Sequence, residues 1–210
     1  LSFTTAVAPN FDNCKFTDYF LLNEDEKLIS TAGIPGFDSS HWYIFNIQQH
    51  GYYRVNYDIT NWQNIIKVLN SPDYTKIHVL NRAQLVDDAL TLAFDGYLSY
   101  DIALGVVSYL HREIEYYPWY SATVAFDKIE TTLKGTKLHA EFKTFVRFLI
   151  QKMYQHYGDE YVLVDHIITQ FTRELAIEWA CRMGDEHCAE SSMRHLEAGG
   201  IEAPLQVVYY

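Results

Sequence analysis

Apolar positions along this chain follow two different periods, and the change falls near residue 58. Before it, short runs are alternating or apolar: Phe3-Thr4-Thr5-Ala6-Val7, Tyr19-Phe20-Leu21-Leu22, Lys27-Leu28-Ile29-Ser30, Trp42 to Ile47, and Tyr52 to Tyr57. They are rich in β-branched and aromatic residues, and Gly, Pro, Asn and Asp separate them, the pattern of short strands. Gln48-Gln49-His50-Gly51 reads as a hairpin loop between the last two runs. Residues 1–58 therefore predict a small antiparallel β-sandwich domain.

From Ile59 the period becomes helical. Asp58 or Thr60 caps a helix reaching about Leu69, stopped by Ser71-Pro72. Val79, Leu80, Ala83, Val86, Leu90 and Ala93 form one apolar face of the next helix, ended by Gly96. Ser99 caps a third through about Ile114, Pro118 opens a fourth ended by Gly135, and Leu138 to Tyr157 make a fifth ended by Gly158. A sixth spans about Val162 to Met183 and a short seventh Ala189 to Leu196; Pro204 opens another. Long helices with short links predict stacked α-hairpins. Their pairing period of about 40 residues is that of armadillo- and HEAT-type arrays. The expected fold class is thus β and α in separate domains, with residues 59–210 an all-α superhelical array. The first and last residues, Leu1-Ser2-Phe3 and Val207-Val208-Tyr209-Tyr210, read as interrupted elements, as of a fragment.

Composition narrows the picture. With 49% apolar residues among 210, a packed core is within reach and global disorder is not expected. A net charge of −11 argues against a nucleic-acid partner, whose phosphates it would repel. No apolar run approaches the roughly 20 residues of a membrane span, and LSFTTAVAP lacks the basic start of a signal peptide.

Cysteine spacing leaves two readings open. Cys181 and Cys188 are seven apart in CRMGDEHC; on one continuous helix their Cα atoms would lie about 10.5 Å apart. A disulfide needs less than about 7 Å. Gly184 and Asp185 supply a helix stop and an N-cap between them, so a bond is feasible across a turn. Two unrelated buried thiols fit the spacing equally well.

Catalytic motifs are absent from the sequence. There is no His-Glu-x-x-His, no pair of histidines four apart, no Cys-x-x-Cys and no Gly-x-Ser-x-Gly. Pro35 removes a donor from Gly33-Ile34-Pro35-Gly36, which is a turn and not a phosphate cradle. His187 and His195, two helical turns apart, are a chance spacing among nine histidines. The one charged cluster on an apolar helix is Asn81-Arg82-Ala83-Gln84-Leu85-Val86-Asp87-Asp88. Arg82 and Asp87 are five apart, a poor helical pair, so these groups meet residues from elsewhere. Bonding to neighbouring elements and lining a ligand cavity are both open for Arg82, Gln84, Asp87 and Asp88.

Three stretches together resemble the zinc gluzincin aminopeptidases of the aminopeptidase N family, the insect gut type above all. Gly51-Tyr52-Tyr53-Arg54-Val55-Asn56-Tyr57-Asp58 is similar to the Gly-aromatic-Tyr-Arg-Val-Asn-Tyr run that closes that family's sandwich. Asn81-Arg82-Ala83-Gln84-Leu85-Val86-Asp87-Asp88-Ala89 resembles its Asn-Arg-Ala-Gln-Leu-x-Asp-Asp-Ala helix, and Glu178-Trp179-Ala180-Cys181 to Cys188 a later helix whose cysteines pair in secreted members. The resemblance implies the sandwich spacer and much of the helical cap of a larger ectoenzyme that removes N-terminal amino acids from peptides. It implies a Cys181–Cys188 disulfide, and Arg82, Gln84, Asp87 and Asp88 at a cavity or domain interface. It implies zinc in the intact enzyme but no catalytic or metal residue and no cofactor in this chain, which alone should be inactive.

The implied partners are an upstream catalytic domain of the same polypeptide and peptide substrates. For insect members, bacterial toxins or antibodies are further docking partners, which keeps open a helical binding module or receptor surface. The implied location is the extracellular face of the plasma membrane, through a GPI anchor on the parent. The link Gly158-Asp159-Glu160-Tyr161 is shorter than the family's, and Phe11 to Phe16 around Cys14 departs from its pattern. The tyrosine cluster itself reads as structural, with Tyr53, Val55 and Tyr57 on one packed face.

Overall fold

The computed structural model describes residues 2–6, 11, 38–159 and 166–197. Among these the chain is mostly helical, with seven α-helices and one two-stranded sheet. It divides into two compact units, Leu1–Val107 and Ser108–Tyr210; Asp58 lies inside the first.

In the first unit β1 (Phe3–Thr5) pairs antiparallel with β2 (Tyr43–Phe45), Phe3 opposite Phe45 and Thr5 opposite Tyr43. Alternate backbone groups of a strand point to opposite sides. Trp42 O and Asn46 N serve the β1 side, through Ala6 N and Ser2 O. The N–H groups of Tyr43 and Phe45 point the other way and meet side chains. Asn61 accepts from Tyr43 N at 3.1 Å and donates to Tyr43 O at 2.9 Å. The Tyr57 hydroxyl accepts from Phe45 N at 3.0 Å.

Asp58 makes the change of period. Its backbone is extended (ψ 160°) and its carboxylate accepts from Asn61 N at 3.0 Å, which starts α1 (Ile59–Leu69). Trp62, Ile65 and Leu69, at i, i+3 and i+7, are fully buried along one stripe. The Tyr43 hydroxyl donates to Asp58 Oδ2 at 2.6 Å and, more than any other contact, holds that carboxyl below its ordinary range. Asp58→Ala is expected to cost about 1 kcal/mol, read in thermal unfolding. That contribution is present above the unfolded carboxylate value and is lost as pH falls through the lowered folded one. A variant as stable as the parent at neutral pH would refute the cap.

Asn46 to Tyr57 departs from the expected hairpin and strand. Asn46, Gln48 and Gln49 are left-handed (φ 58°, 51° and 58°) around a 3-10 turn, Ile47–Gln49, and Tyr52–Tyr57 forms no regular strand. The reason lies in its neighbours, which are side chains and not another strand. Asn46 Nδ2 donates to Gly51 O and Tyr53 O at 2.9 and 3.3 Å, Asp88 accepts from Val55 N, and Asn56 donates to Tyr97 O. The face expected to pack is split: Tyr57 is buried against Trp62, with ring centroids 5.1 Å apart, whereas Tyr53 is 45% exposed. The expected strands Tyr19–Leu22 and Lys27–Ser30, with Cys14, lie outside the described residues, as does the helix expected from Pro204. A full β-sandwich is therefore not seen among the described residues.

Next come α2 (Val79–Phe94), almost wholly enclosed, and α3 (Tyr100–Val107), which packs on it. The third helix was expected to reach Ile114. It stops at Val107, after a β-branched pair that disfavours continuation, and residues Ser108–Arg112 form a 3-10 stretch.

The second unit contains α4 (Tyr116–Leu133), α5 (Leu138–Tyr157), α6 (Ile167–Arg182) and α7 (Glu186–Glu197). Pro118 falls in the first turn of α4, where its missing N–H leaves no helical bond unmade. Trp119, Phe126, Leu149, Met153, Ala176 and Trp179 form the core of this unit. Tyr116 leans on Phe171, and Arg182 bonds Asp127 at 2.6 Å; both pairs are 55 residues apart, so α4 and α6 run parallel in register. Arg182 also pairs with the buried Glu130 at 2.5 Å and lies over the Trp179 ring, 4.7 Å from its centroid.

Gly184, with φ +82°, ends α6, and the Asp185 carboxylate accepts from Cys188 N at 3.0 Å to cap α7. The break brings Cys181 and Cys188 to a Cα separation of 5.2 Å and they are disulfide-bonded. Replacing both by serine is expected to cost about 2.5 kcal/mol, from the small loop closed. Urea unfolding should show the loss, and reductant should lower the parent's midpoint while leaving the variant's unchanged. Equal sensitivity of both to reductant would contradict it.

Candidate functional site

The polar run singled out on α2 separates into two groups. Arg82, 4% exposed, turns back along its own helix: Nη1 donates to Ile77 O at 2.7 Å and the guanidinium lies 5.3 Å from the Tyr74 ring centroid. Asp87 and Asp88 turn instead to the segment Gly51–Tyr57, and Gln84 links Asp88 to β2. Arg54 Nη1 donates to Asp87 Oδ2 at 2.6 Å and to Asp88 Oδ1 at 3.2 Å, and Asp88 Oδ2 accepts from Val55 N at 3.1 Å. Gln84 Nε2 reaches Phe45 O and Asp88 Oδ2, each at 3.4 Å. The structure thus joins two of the motifs read from the sequence, Gly51–Asp58 and Asn81–Ala89, through a side-chain ladder.

Sequence reasoning passed over Asn81, Asn61 and Arg54. Asn81 is fully buried: its Oδ1 accepts from Gln48 N at 2.9 Å, and its Nδ2 donates to Asn46 O at 3.2 Å and Gln84 Oε1 at 2.7 Å. It holds the left-handed turn from the helix side. The available signal was an amide three and seven residues before Gln84 and Asp88, on the side of the helix opposite its apolar stripe; on so apolar a helix such a group must find partners to be buried.

The charges are matched to this fastening. Burial pushes the Asp88 carboxyl up to about 6, against the opposing pull of the Val55 N–H and Arg54. Arg54 and Asp87 are 45% and 39% exposed, so their pair contributes little beyond direction. No nucleophile–base pair is built here. Among the described residues no three His, Cys, Asp or Glu side chains come together to hold a metal, so they do not fit the zinc that the resemblance implies. Among them, too, no helix is long and apolar enough to cross a membrane.

The matches to known proteins point the same way as the motifs. A family model described as the ERAP1-like C-terminal domain matches residues 42–204, more than half of the chain. Aminopeptidase N of Plutella xylostella is 39% identical over 159 residues, covering 76% of this chain and 17% of that protein. Membrane alanyl aminopeptidase of Manduca sexta is 31% identical over 196 residues, 93% of this chain and 19% of that protein. Aminopeptidase N of Homo sapiens is 28% identical over 179 residues, 82% of this chain and 18% of that protein. The chain spans less than a fifth of the length of each of these relatives. It belongs to the ERAP1-like C-terminal domain family, and corresponds to that part of an aminopeptidase of the aminopeptidase N family, insect type.

Proposed function

We propose that this chain is a non-catalytic wall of a zinc aminopeptidase that removes N-terminal amino acids from peptides. The observation that carries the reading is the family match over residues 42–204, together with the similarity to aminopeptidases along most of the chain. In this reading the β-rich start is one side of a sandwich spacer. The helices stack as an armadillo/HEAT-like array of hairpins, for which the parallel α4 and α6 packed against α5 give support. The array closes over a peptide-binding chamber, a gating and size-selecting role. Zinc and the groups that activate its water would be supplied by residues outside the described ones.

Partners in this reading are the catalytic part of the same polypeptide and the peptide in the chamber. The disulfide and the names of relatives such as membrane alanyl aminopeptidase favour the outer face of a membrane for the parent, with a GPI anchor as the proposed attachment.

Two measurements test this. The purified chain, supplied with Zn2+, is expected to release nothing from an alanyl anilide; turnover would refute the non-catalytic role. Residues 42–204 exchanged into the Plutella xylostella aminopeptidase N should keep hydrolysis of the anilide but change kcat/KM across peptides of increasing length. A length profile identical to that of the parent enzyme would refute the chamber role.

A further inference from the structure

Solvent faces a strip of rings on α4 and α6 that the core does not use. Tyr116 stacks on Tyr120 with centroids 5.6 Å apart, meets Tyr117 edge-on at 5.7 Å and leans on Phe171 at 6.3 Å. Tyr117, Tyr120, Val124, Ile167 and Phe171 remain between 43% and 52% exposed. They recur at helical spacing along the outer stripes of the two parallel helices, so they form one continuous patch. A contiguous apolar patch on a soluble surface marks a place of contact.

Charge decides what kind of contact. The α6 stripe continues from Phe171 into Glu174 and Glu178, and Glu115 stands immediately before Tyr116. These three carboxylates form no ion pair among the described residues. Of the nearby cations, Arg173 donates through Nε to Tyr157 O at 3.1 Å and Arg182 holds Asp127 and Glu130, while Lys128, exposed one turn beyond Val124, is outnumbered by the carboxylates. Burial first, then Tyr120, Tyr117 and Glu174, push the Tyr116 hydroxyl up, as expected where the local field disfavours another negative charge. Ring faces attract ammonium and guanidinium groups, and desolvated instances are worth more than exposed ones.

We propose that this α4–α6 face is a docking surface for a polypeptide segment carrying Lys or Arg among apolar side chains. The cations lie on the tyrosine faces and reach Glu174 and Glu178, while the apolar side chains cover Val124, Ile167 and Phe171. This surface lies within one unit and does not depend on the chamber reading.

The test uses the full chain and short fluorescent peptides alternating Leu with Lys, Leu with Glu, or Leu with Ser, read by anisotropy. Two double variants change only exposed or half-exposed side chains: Tyr120→Ser with Phe171→Ser, and Glu174→Gln with Glu178→Gln. Circular dichroism checks that both stay folded. The Leu/Lys peptide is expected to bind and the other two to fail. Each double variant should weaken it about tenfold, and the glutamine pair should also flatten the salt dependence. Equal binding of the Leu/Glu peptide, or no binding of the Leu/Lys peptide, overturns the proposal. So does binding that survives both double variants, which would assign the attraction to the overall charge of −11. Sedimentation provides the last arm: a dimer abolished by the Tyr120/Phe171 pair would make a second copy the occupant and overturn it too.

Discussion

Replacing Asn81 with leucine is expected to destabilise the first unit by about 3 kcal/mol or more, from stranded hydrogen-bonding groups that each cost roughly 1–3 kcal/mol. Gln48 N, Asn46 O and Gln84 Oε1 all lose a partner at a position with no exposed surface. The loss also frees a turn with three non-glycine residues in left-handed backbone, a conformation that the surroundings must enforce. Urea unfolding is the measurement, and a leucine variant within about 0.5 kcal/mol of the parent, the range of a surface change, would dismiss the account.

The second large effect is a pH dependence of unusual sign. Asp88 has its carboxyl raised from 3.8 to about 6 in the folded chain. A raised carboxylate favours the folded state most when protonated. Its contribution is fully present below the unfolded value and is lost as pH rises through the folded one. Between pH 4 and 7 Asp88 should therefore withdraw up to about 3 kcal/mol, at roughly 1.4 kcal/mol per unit. Asp88→Asn keeps an acceptor for Val55 N and removes the ionisation. The stability difference between variant and parent should grow with pH and level off above about 7, the variant being the more stable at high pH. Asp58 titrates with the opposite sign, so only the difference between the two proteins isolates Asp88. A difference that stays flat, or favours the parent as pH rises, would sink the claim.

Both effects come from contacts that no local reading could supply. Helix ends were legible because the signal is local: Asp58 caps α1, Gly158 and Gly184 take positive φ, and Leu138–Tyr157 forms as its periodicity predicts. The segment 52–57 was misread for the converse reason. Its alternation is real, yet what it faces is set by Asp88, 33 residues away from Val55. The same holds for β1, whose partner lies some 40 residues on. Of the site, the sequence indicated that Arg82 and Asp87 would meet residues from elsewhere; Asp87 bonds Arg54, whereas Arg82 turns to Ile77 and Tyr74 just before its own helix. It could not indicate that two amides and a tyrosine hydroxyl would stand in for a strand.

That substitution shields β2 from self-association. The outer margin of a short strand is normally a template onto which a foreign chain can add, the first step towards aggregation. Here the outward N–H groups of Tyr43 and Phe45, and the Tyr43 carbonyl, are already occupied by Asn61 and Tyr57. A passing extended peptide finds no open rung along β2 while Asn61 and Tyr57 stay in place.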